Sequence, residues 1–417
     1  MKVLISAYSC EPGVGSERGV GWNMVYQAAQ HNEVWVLTRP DESKEAIEAY
    51  LAEHPVPNLK FEYFTLPIWG GGWRMGSNGA MQIHYYLWQI QAYFVARRLQ
   101  REIGFDVAHH VTFVKYSSPS FLSFLPIPFV WGPVGGAESA PKPFWKDFSR
   151  KAWLYETARN IVRGIGEWDP FVRLTAQKSA AVRATTEDTA KKLYQMGAEQ
   201  VQILPESGIP QSELEALGKV PIPTDNAMRF ISMGRLLHWK GFHLGVRAFA
   251  KANLPDAEYW ILGDGPEDES LRQLAKSLGV EEKVKFLGRV PRDVVLEKLA
   301  QCHVMVHPSL HDSGGWVCME AMAAGRPVLC LDLGGPGFQV TADTGIKVAA
   351  HNPDQAVGDL ANAMTKLAGD EALRRDMGAA GRKLVGENYT WEVNGQRLSE
   401  LYEALVQSAG TQQVTAP

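Results

Sequence analysis

The chain has 417 residues, 45% of them hydrophobic and 21% charged, with a formal net charge of −4. That length exceeds one ordinary compact core and predicts two domains of roughly 200 residues each, while the near balance of charge gives no reason to expect nucleic acid as a partner. Cys10, Cys302, Cys318 and Cys330 show neither a C-x-x-C pair nor zinc-finger spacing, so they read as buried free thiols of a reducing compartment.

Val3–Tyr8 is the first strand expected; Glu11-Pro12-Gly13 cuts it short of the length of a signal-peptide core. No stretch approaches the roughly 18 uncharged apolar residues of a membrane span, and the expected location is cytoplasmic. A Gly-rich turn and a helix over about Gly21–Gln30 follow. Strands are then expected at Val34–Thr38, Phe61–Leu66, Val107–Val111 and Phe129–Trp131, with a long helix at Gln82–Ile103 between the second and third of these. The Pro- and Gly-bearing stretch Ile209–Asn226 reads as a linker. Beyond it, strands at Phe230–Met233, Tyr259–Leu262, Val284–Leu287, Val304–His307 and Pro327–Leu331 alternate with helices at Leu244–Ala252, Ser270–Leu278, Asp293–Gln301 and Trp316–Ala324. A last helix covers about Trp391–Gln407. Such alternation predicts α/β units with parallel sheets and ligands beyond the carboxyl ends of the strands.

The richest chemistry lies in His307-Pro308-Ser309-Leu310-His311-Asp312-Ser313-Gly314-Gly315-Trp316-Val317-Cys318-Met319-Glu320. A strand ends, a loop with two glycines follows, and a helix starts near Trp316. The backbone N–H groups of Gly314, Gly315, Trp316 and Val317, with the positive end of the helix dipole, suit an anion such as a phosphate. Glu320, about one turn inside, can accept hydrogen bonds from ribose hydroxyls. Arg235 and Lys240, in Met233-Gly234-Arg235-Leu236-Leu237-His238-Trp239-Lys240-Gly241, can neutralise a diphosphate from a neighbouring strand end.

In the first half, Glu11-Pro12-Gly13-Val14-Gly15-Ser16-Glu17 follows the first strand. Arg18 stands where a dinucleotide fingerprint needs its third glycine, so the loop is not that fingerprint, and Gly13 and Gly15 can each be a plain turn residue. His109 and His110 end a strand on opposite faces. The helix at Met81–Ile103 combines Tyr85, Tyr86, Trp88, Tyr93 and Phe94 with Arg97, Arg98 and Arg101, a pattern open to both core packing and peripheral membrane contact. Trp69, Gly70–Gly72 and Trp73 read as a loop able to touch a lipid or glycan.

The segment from Asp312 to Val328 resembles the signature of family 4 glycosyltransferases, in which two acids stand seven residues apart before an Ala-Met-Ala-x-Gly helix. Asp312 and Glu320 have that spacing, and Glu320-Ala321-Met322-Ala323-Ala324-Gly325-Arg326-Pro327-Val328 matches the helix and next strand. The departures are Asp312 where the family usually has Glu, and Gly314 where it has an aromatic. The resemblance implies a GT-B fold: two Rossmann-like domains facing each other across a cleft, an N-terminal acceptor domain over residues 1–206 and a C-terminal donor domain over 207–417. The last helix, at about 391–407, would cross back to the first domain.

It further implies a retaining transfer of a sugar from a nucleotide-diphosphate donor to a glycan, lipid-linked or small-molecule acceptor. Asp312 would contact the sugar and Glu320 the ribose, while Arg235 and Lys240 would stabilise the leaving diphosphate. Gly234, Gly263 and Gly288 would shape the donor pocket, Gly13 and Gly15 would face the donor phosphates or the acceptor, and His109, with His110 as the alternative, would lie near the transferred sugar. With no Asp-x-Asp motif suitably placed after a strand, no metal and no other cofactor are expected. Cys10-Glu11-Pro12-Gly13-Val14-Gly15-Ser16-Glu17 is similar to a bacterial branch linked to surface polysaccharides. A nucleotide-sugar epimerase, or a non-catalytic nucleotide-sugar binder, are the alternative readings.

Overall fold

The computed structural model describes residues 1–66, 78–205, 208–224 and 227–415; the loop at Trp69–Trp73 lies outside them. By contact, the chain divides into two compact units. Met1–Ala137, Arg159–Glu206 and Trp391–Pro417 make the first, and Glu138–Ala158 with Ser207–Thr390 the second.

The first unit holds β1 (Lys2–Ser6), β2 (Glu33–Thr38), β3 (Leu59–Tyr63), β4 (Val107–His110), β5 (Phe129–Val134), β6 (Ala181–Ala184) and β7 (Val201–Ile203). They form a seven-stranded sheet in the order β3-β2-β1-β4-β5-β6-β7, parallel at every pairing. The second unit holds β8 (Met228–Met233), β9 (Ala257–Leu262), β10 (Val284–Gly288), β11 (Val304–His307), β12 (Val328–Leu331) and β13 (Gly345–Val348). Their order, β10-β9-β8-β11-β12-β13, repeats the same winding, again all parallel. Both are doubly wound, Rossmann-like sheets. The order reverses between β1 and β4 in one and between β8 and β11 in the other, the places where such sheets open a crevice at their carboxyl ends.

Parallel strands covered on both faces read as continuous apolar runs, and β11 and β12 are buried at every residue. Alternation then sends Phe230 to one face and Ile231 to the other. Phe230 packs with Leu244, Phe249 and Met364, whereas Ile231 packs with Met319, Met322 and Val385. Phe144 and Trp145 join the first of these layers, which explains why Glu138–Ala158 belongs to the second unit. The four cysteines are buried and free.

Several expectations shift. The first helix runs Ser16–Ala29, starting earlier than Gly21. Gly19 and Gly21 lie inside it and serve close packing: a Cβ on Gly21 would stand 2.1 Å from the Ser9 carbonyl oxygen. The stretch read as a linker contains the helix Gln211–Gly218, with Leu217 buried. Tyr85 and Trp88 of the helix Asn78–Ile103 are core residues.

Candidate functional site

In the second unit the loops after β8 and β11, neighbours at the reversal, carry Lys240 and Asp312. Lys240 Nζ donates to Asp312 Oδ2 at 2.5 Å, and His307 Nε2, at the end of β11, lies 3.0 Å from the same oxygen. The loops are also joined through their backbones. Leu310 N donates to the Trp239 carbonyl at 2.8 Å, and Gly241, at φ +66°, sits so close that a Cβ would lie 1.9 Å from the Pro308 carbonyl oxygen. Burial acts to raise the Asp312 carboxyl, yet the His307 hydrogen bond and the Lys240 charge outweigh it and hold the group well below the usual carboxylate range. Burial lowers His307 despite Asp312, so a neutral imidazole donates its Nε2–H to the carboxylate.

The helix Trp316–Ala323 starts at Gly315 in the left-handed region, with no side-chain cap. Its first N–H groups therefore remain for an acceptor outside the helix. Gln339 fixes the approach by donating Nε2–H to the Gly314 carbonyl at 2.7 Å. Trp316 Nε1 is buried with no partner among the described residues, and Val317 follows it in the first turn. Glu320 pairs with Arg292 at 2.9 Å, and Arg292 also pairs with Glu213. Burial is the largest influence on Glu320, pushing its carboxyl up to about 7, with the Arg292 charge opposing.

Gly234, Gly263 and Gly288 end β8, β9 and β10 and meet one another. Gly263 N donates to the Gly288 carbonyl at 2.8 Å, and a Cβ on Gly263 would stand 1.9 Å from the Gly234 carbonyl oxygen. Arg235 is exposed; unlike Lys240 it forms no ion pair among the described residues. The structure thus joins Lys240 to Asp312, and Glu320 to Arg292, and leaves Arg235 apart.

Sequence reasoning missed the residues that hold these loops. Glu156 is fully buried; its Oε1 lies 3.1 Å from His238 Nε2 and 3.3 Å from His311 Nε2. Trp239 stacks between Tyr155, at 5.4 Å, and His311, at 5.2 Å. One carboxylate and one aromatic stack thereby clamp the segments that bear Lys240 and Asp312. His238 and His311 stood inside the motifs quoted above, but nothing in their spacing pointed to a partner some 80 to 155 positions away. Arg292 and Gln339 gave no sequence signal either.

In the first unit His109 and His110 are both fully buried. His109 places Nδ1 2.6 Å from the Tyr402 hydroxyl and Nε2 2.5 Å from the Gly132 carbonyl oxygen. Burial first, then the Arg183 charge, hold it well below the usual imidazole range. A neutral His109 that donates from Nε2 and accepts at Nδ1 ties β4 to β5 and to the helix Trp391–Thr415. His110 Nε2 faces the Tyr85 hydroxyl at 3.2 Å. Gly13 adopts φ +73° with no neighbour within 4 Å of a Cβ, and Gly15 is the extended residue before the helix Ser16–Ala29. Just inside that helix, Glu17 accepts from the Phe113 N–H, and burial raises its carboxyl.

Comparison with known proteins shows what this arrangement is similar to. Residues 218–384, which include Arg235, Lys240, Asp312 and Glu320, match the model of glycosyl transferases group 1. This stretch, about 40% of the chain, is similar to that family's domain. The whole chain shares its fold with GT-B structures such as Anabaena Alr3699/HepE in complex with UDP, at a TM-score of 0.61 and 20% identity, over 97% of this chain and all of that one. Curated relatives bear names of the same kind. A GDP-mannose-dependent monoacylated alpha-(1-6)-phosphatidylinositol monomannoside mannosyltransferase of Corynebacterium glutamicum is 32% identical over 43% of this chain and 48% of its own. The lipopolysaccharide core biosynthesis glycosyltransferase LpsE of Rhizobium meliloti is 35% identical over 40% and 48%. The chain spans about half the length of the curated relatives it matches. Among the described residues no helix is long and apolar enough to cross a membrane.

Proposed function

We propose that the chain is a retaining glycosyltransferase of the cytoplasm that moves a sugar from a nucleoside-diphosphate donor held by the second unit to an acceptor held by the first. The observation that carries the reading is the Lys240–Asp312 pair on the two loops at the β8/β11 reversal, beside the uncapped helix that bears Glu320. A diphosphate laid over Gly314 to Val317 would receive the free helix N–H groups, the helix dipole and the Trp316 indole N–H. Arg235, exposed and in no ion pair among the described residues, is a cation free to meet it, whereas Asp312 already balances the Lys240 charge. As the bond to the leaving phosphate lengthens, Lys240 can turn part of its charge from Asp312 to the departing oxygen. Asp312, kept ionised, is then the acid that faces the sugar, and Glu320 accepts from the ribose hydroxyls. Acceptor attack on the face the phosphate leaves, with a donor phosphate oxygen taking the proton, would retain the anomeric configuration.

UDP in the Anabaena structure and GDP-mannose in the Corynebacterium name show that both bases occur among similar proteins. The acceptor class we favour is a lipid-linked or polysaccharide intermediate, as two of the relatives' names describe. No metal is needed in this scheme, so turnover should survive a chelator. The test is transfer to a mixed glycan and lipid acceptor pool from UDP- and GDP-sugars, with wild type and Lys240→Ala side by side. A labelled product with the donor's anomeric configuration, reduced by about 10² or more in the variant, is the expected outcome. Equal turnover in both proteins, or an isomerised sugar with donor alone, would contradict the scheme.

A further inference from the structure

The helix Arg150–Trp168 turns an unusual set of side chains to solvent. Ile161, Val162, Ile165 and Trp168 are 59%, 66%, 67% and 81% exposed. The spacing i, i+1, i+4, i+7 puts them on one side of the helix. All belong to the first unit. Phe171, also exposed, continues the face, and its ring lies 5.2 Å from that of Phe121. Tyr86 fastens this region to the helix Asn78–Ile103, through the Phe121 ring at 5.9 Å and a 2.9 Å hydrogen bond to Asp169. That second helix exposes Ile83, Leu87 and Phe94, a stripe at i, i+4 and i+11.

Apolar side chains in such number on one surface mark a contact with something else, and the accompanying charge indicates what it is. The chain as a whole carries −4. Residues 159–178 nevertheless carry Arg159, Arg163, Arg173 and Lys178 against Glu167 and Asp169. The exposed stripe of the second helix runs into Arg97, Arg98 and Arg101. Basic groups flanking exposed Ile, Phe and Trp are the composition that enters a lipid headgroup layer, with Trp at its boundary. We propose that this face of the first unit docks on an anionic lipid bilayer. The contact lies beside the loop that follows β4: Tyr116 donates to Glu167 at 2.9 Å, and a Cβ on Gly166 would meet the Ser117 carbonyl oxygen at 2.4 Å. Docking would therefore bring the carboxyl ends of the first unit's strands to the lipid, where an acceptor with a lipid anchor could reach them. Binding itself requires neither donor nor turnover, so it stands or falls apart from the transferase reading.

The experiment is flotation of the full chain with vesicles of phosphatidylcholine alone, and of phosphatidylcholine and phosphatidylglycerol in equal parts. Wild type should float with the anionic vesicles only, and release as salt is raised. Ile165→Glu and Trp168→Glu should each lower the bound fraction about tenfold, since each removes an inserted apolar side chain and adds a repelled charge. Both positions are exposed, so thermal unfolding should stay unchanged and report that the fold is intact. A wild-type chain that stays in solution with both vesicles overturns the proposal, as do variants that float like wild type. A wild-type dimer in sedimentation that Ile165→Glu splits would assign the face to a second copy instead.

Discussion

Glu320 is a carboxylic acid whose charge the fold brings close to neutral pH. Its carboxyl is pushed from 4.5 up to about 7, mainly by burial. A folded state that holds the proton more tightly than the unfolded one gains stability below about pH 4.5 and loses it as pH rises through about 7. The full swing is on the order of 3 kcal/mol. Glu320→Gln cannot ionise and should escape the loss. The difference in melting temperature, variant minus wild type, should therefore grow by a few degrees between pH 5 and pH 8. A flat difference would mean that the Arg292 pair offsets burial completely. Asp312 has the opposite bias, and its charge is secured by His307 and Lys240. The two acids are thus set apart by their surroundings: one is held ionised, and burial makes the other retain its proton to higher pH.

At the scale of elements, the site depends on how the loops after β8 and β11 are locked. Gly241 tests that lock. Its positive φ and the Pro308 carbonyl leave no room for a methyl group, so Gly241→Ala should cost about 2 kcal/mol or more and weaken diphosphate binding by moving Lys240. Gly13→Ala is the matched control, with a similar φ of +73° but open space around it. It should cost only about 1–2 kcal/mol, through the backbone alone. A melting comparison of the two variants, with titrations of nucleoside diphosphate, decides the matter; equal effects on binding would mean that the close approach at Gly241 does not position Lys240. The same elements show what a sequence reveals. β8, β11 and β12 were legible because strands buried on both faces are continuous apolar runs. β6 and β7 carry no such run, being short and mixed in character, and Gln211–Gly218 lies among prolines that usually signal a linker.

At the scale of the molecule, the doubly wound architecture was legible, since alternating strands and helices leave few other arrangements. Lys240 and Asp312 stand in motifs that the sequence marks, and the structure brings this pair together. What the sequence could not convey was partnership at long range. Glu156 reaches His238 and His311 only once Phe144 and Trp145 have brought Glu138–Ala158 into the second unit's core. The buried lock of His109 on Tyr402 spans 293 positions. The apolar face at Ile161–Trp168 was silent because exposure is a property of packing and not of composition.

The central claim is that the β8/β11 reversal holds a nucleoside diphosphate, and calorimetric titration tests it most directly. UDP and GDP would be titrated into wild type, Lys240→Ala and Glu320→Ala. The account predicts that one of the two nucleotides binds wild type with a Kd of about 1–100 μM, and that each substitution weakens it by about tenfold or more, as expected for the loss of one charged hydrogen bond. Failure of both nucleotides to bind, or equal affinity in all three proteins, would contradict it.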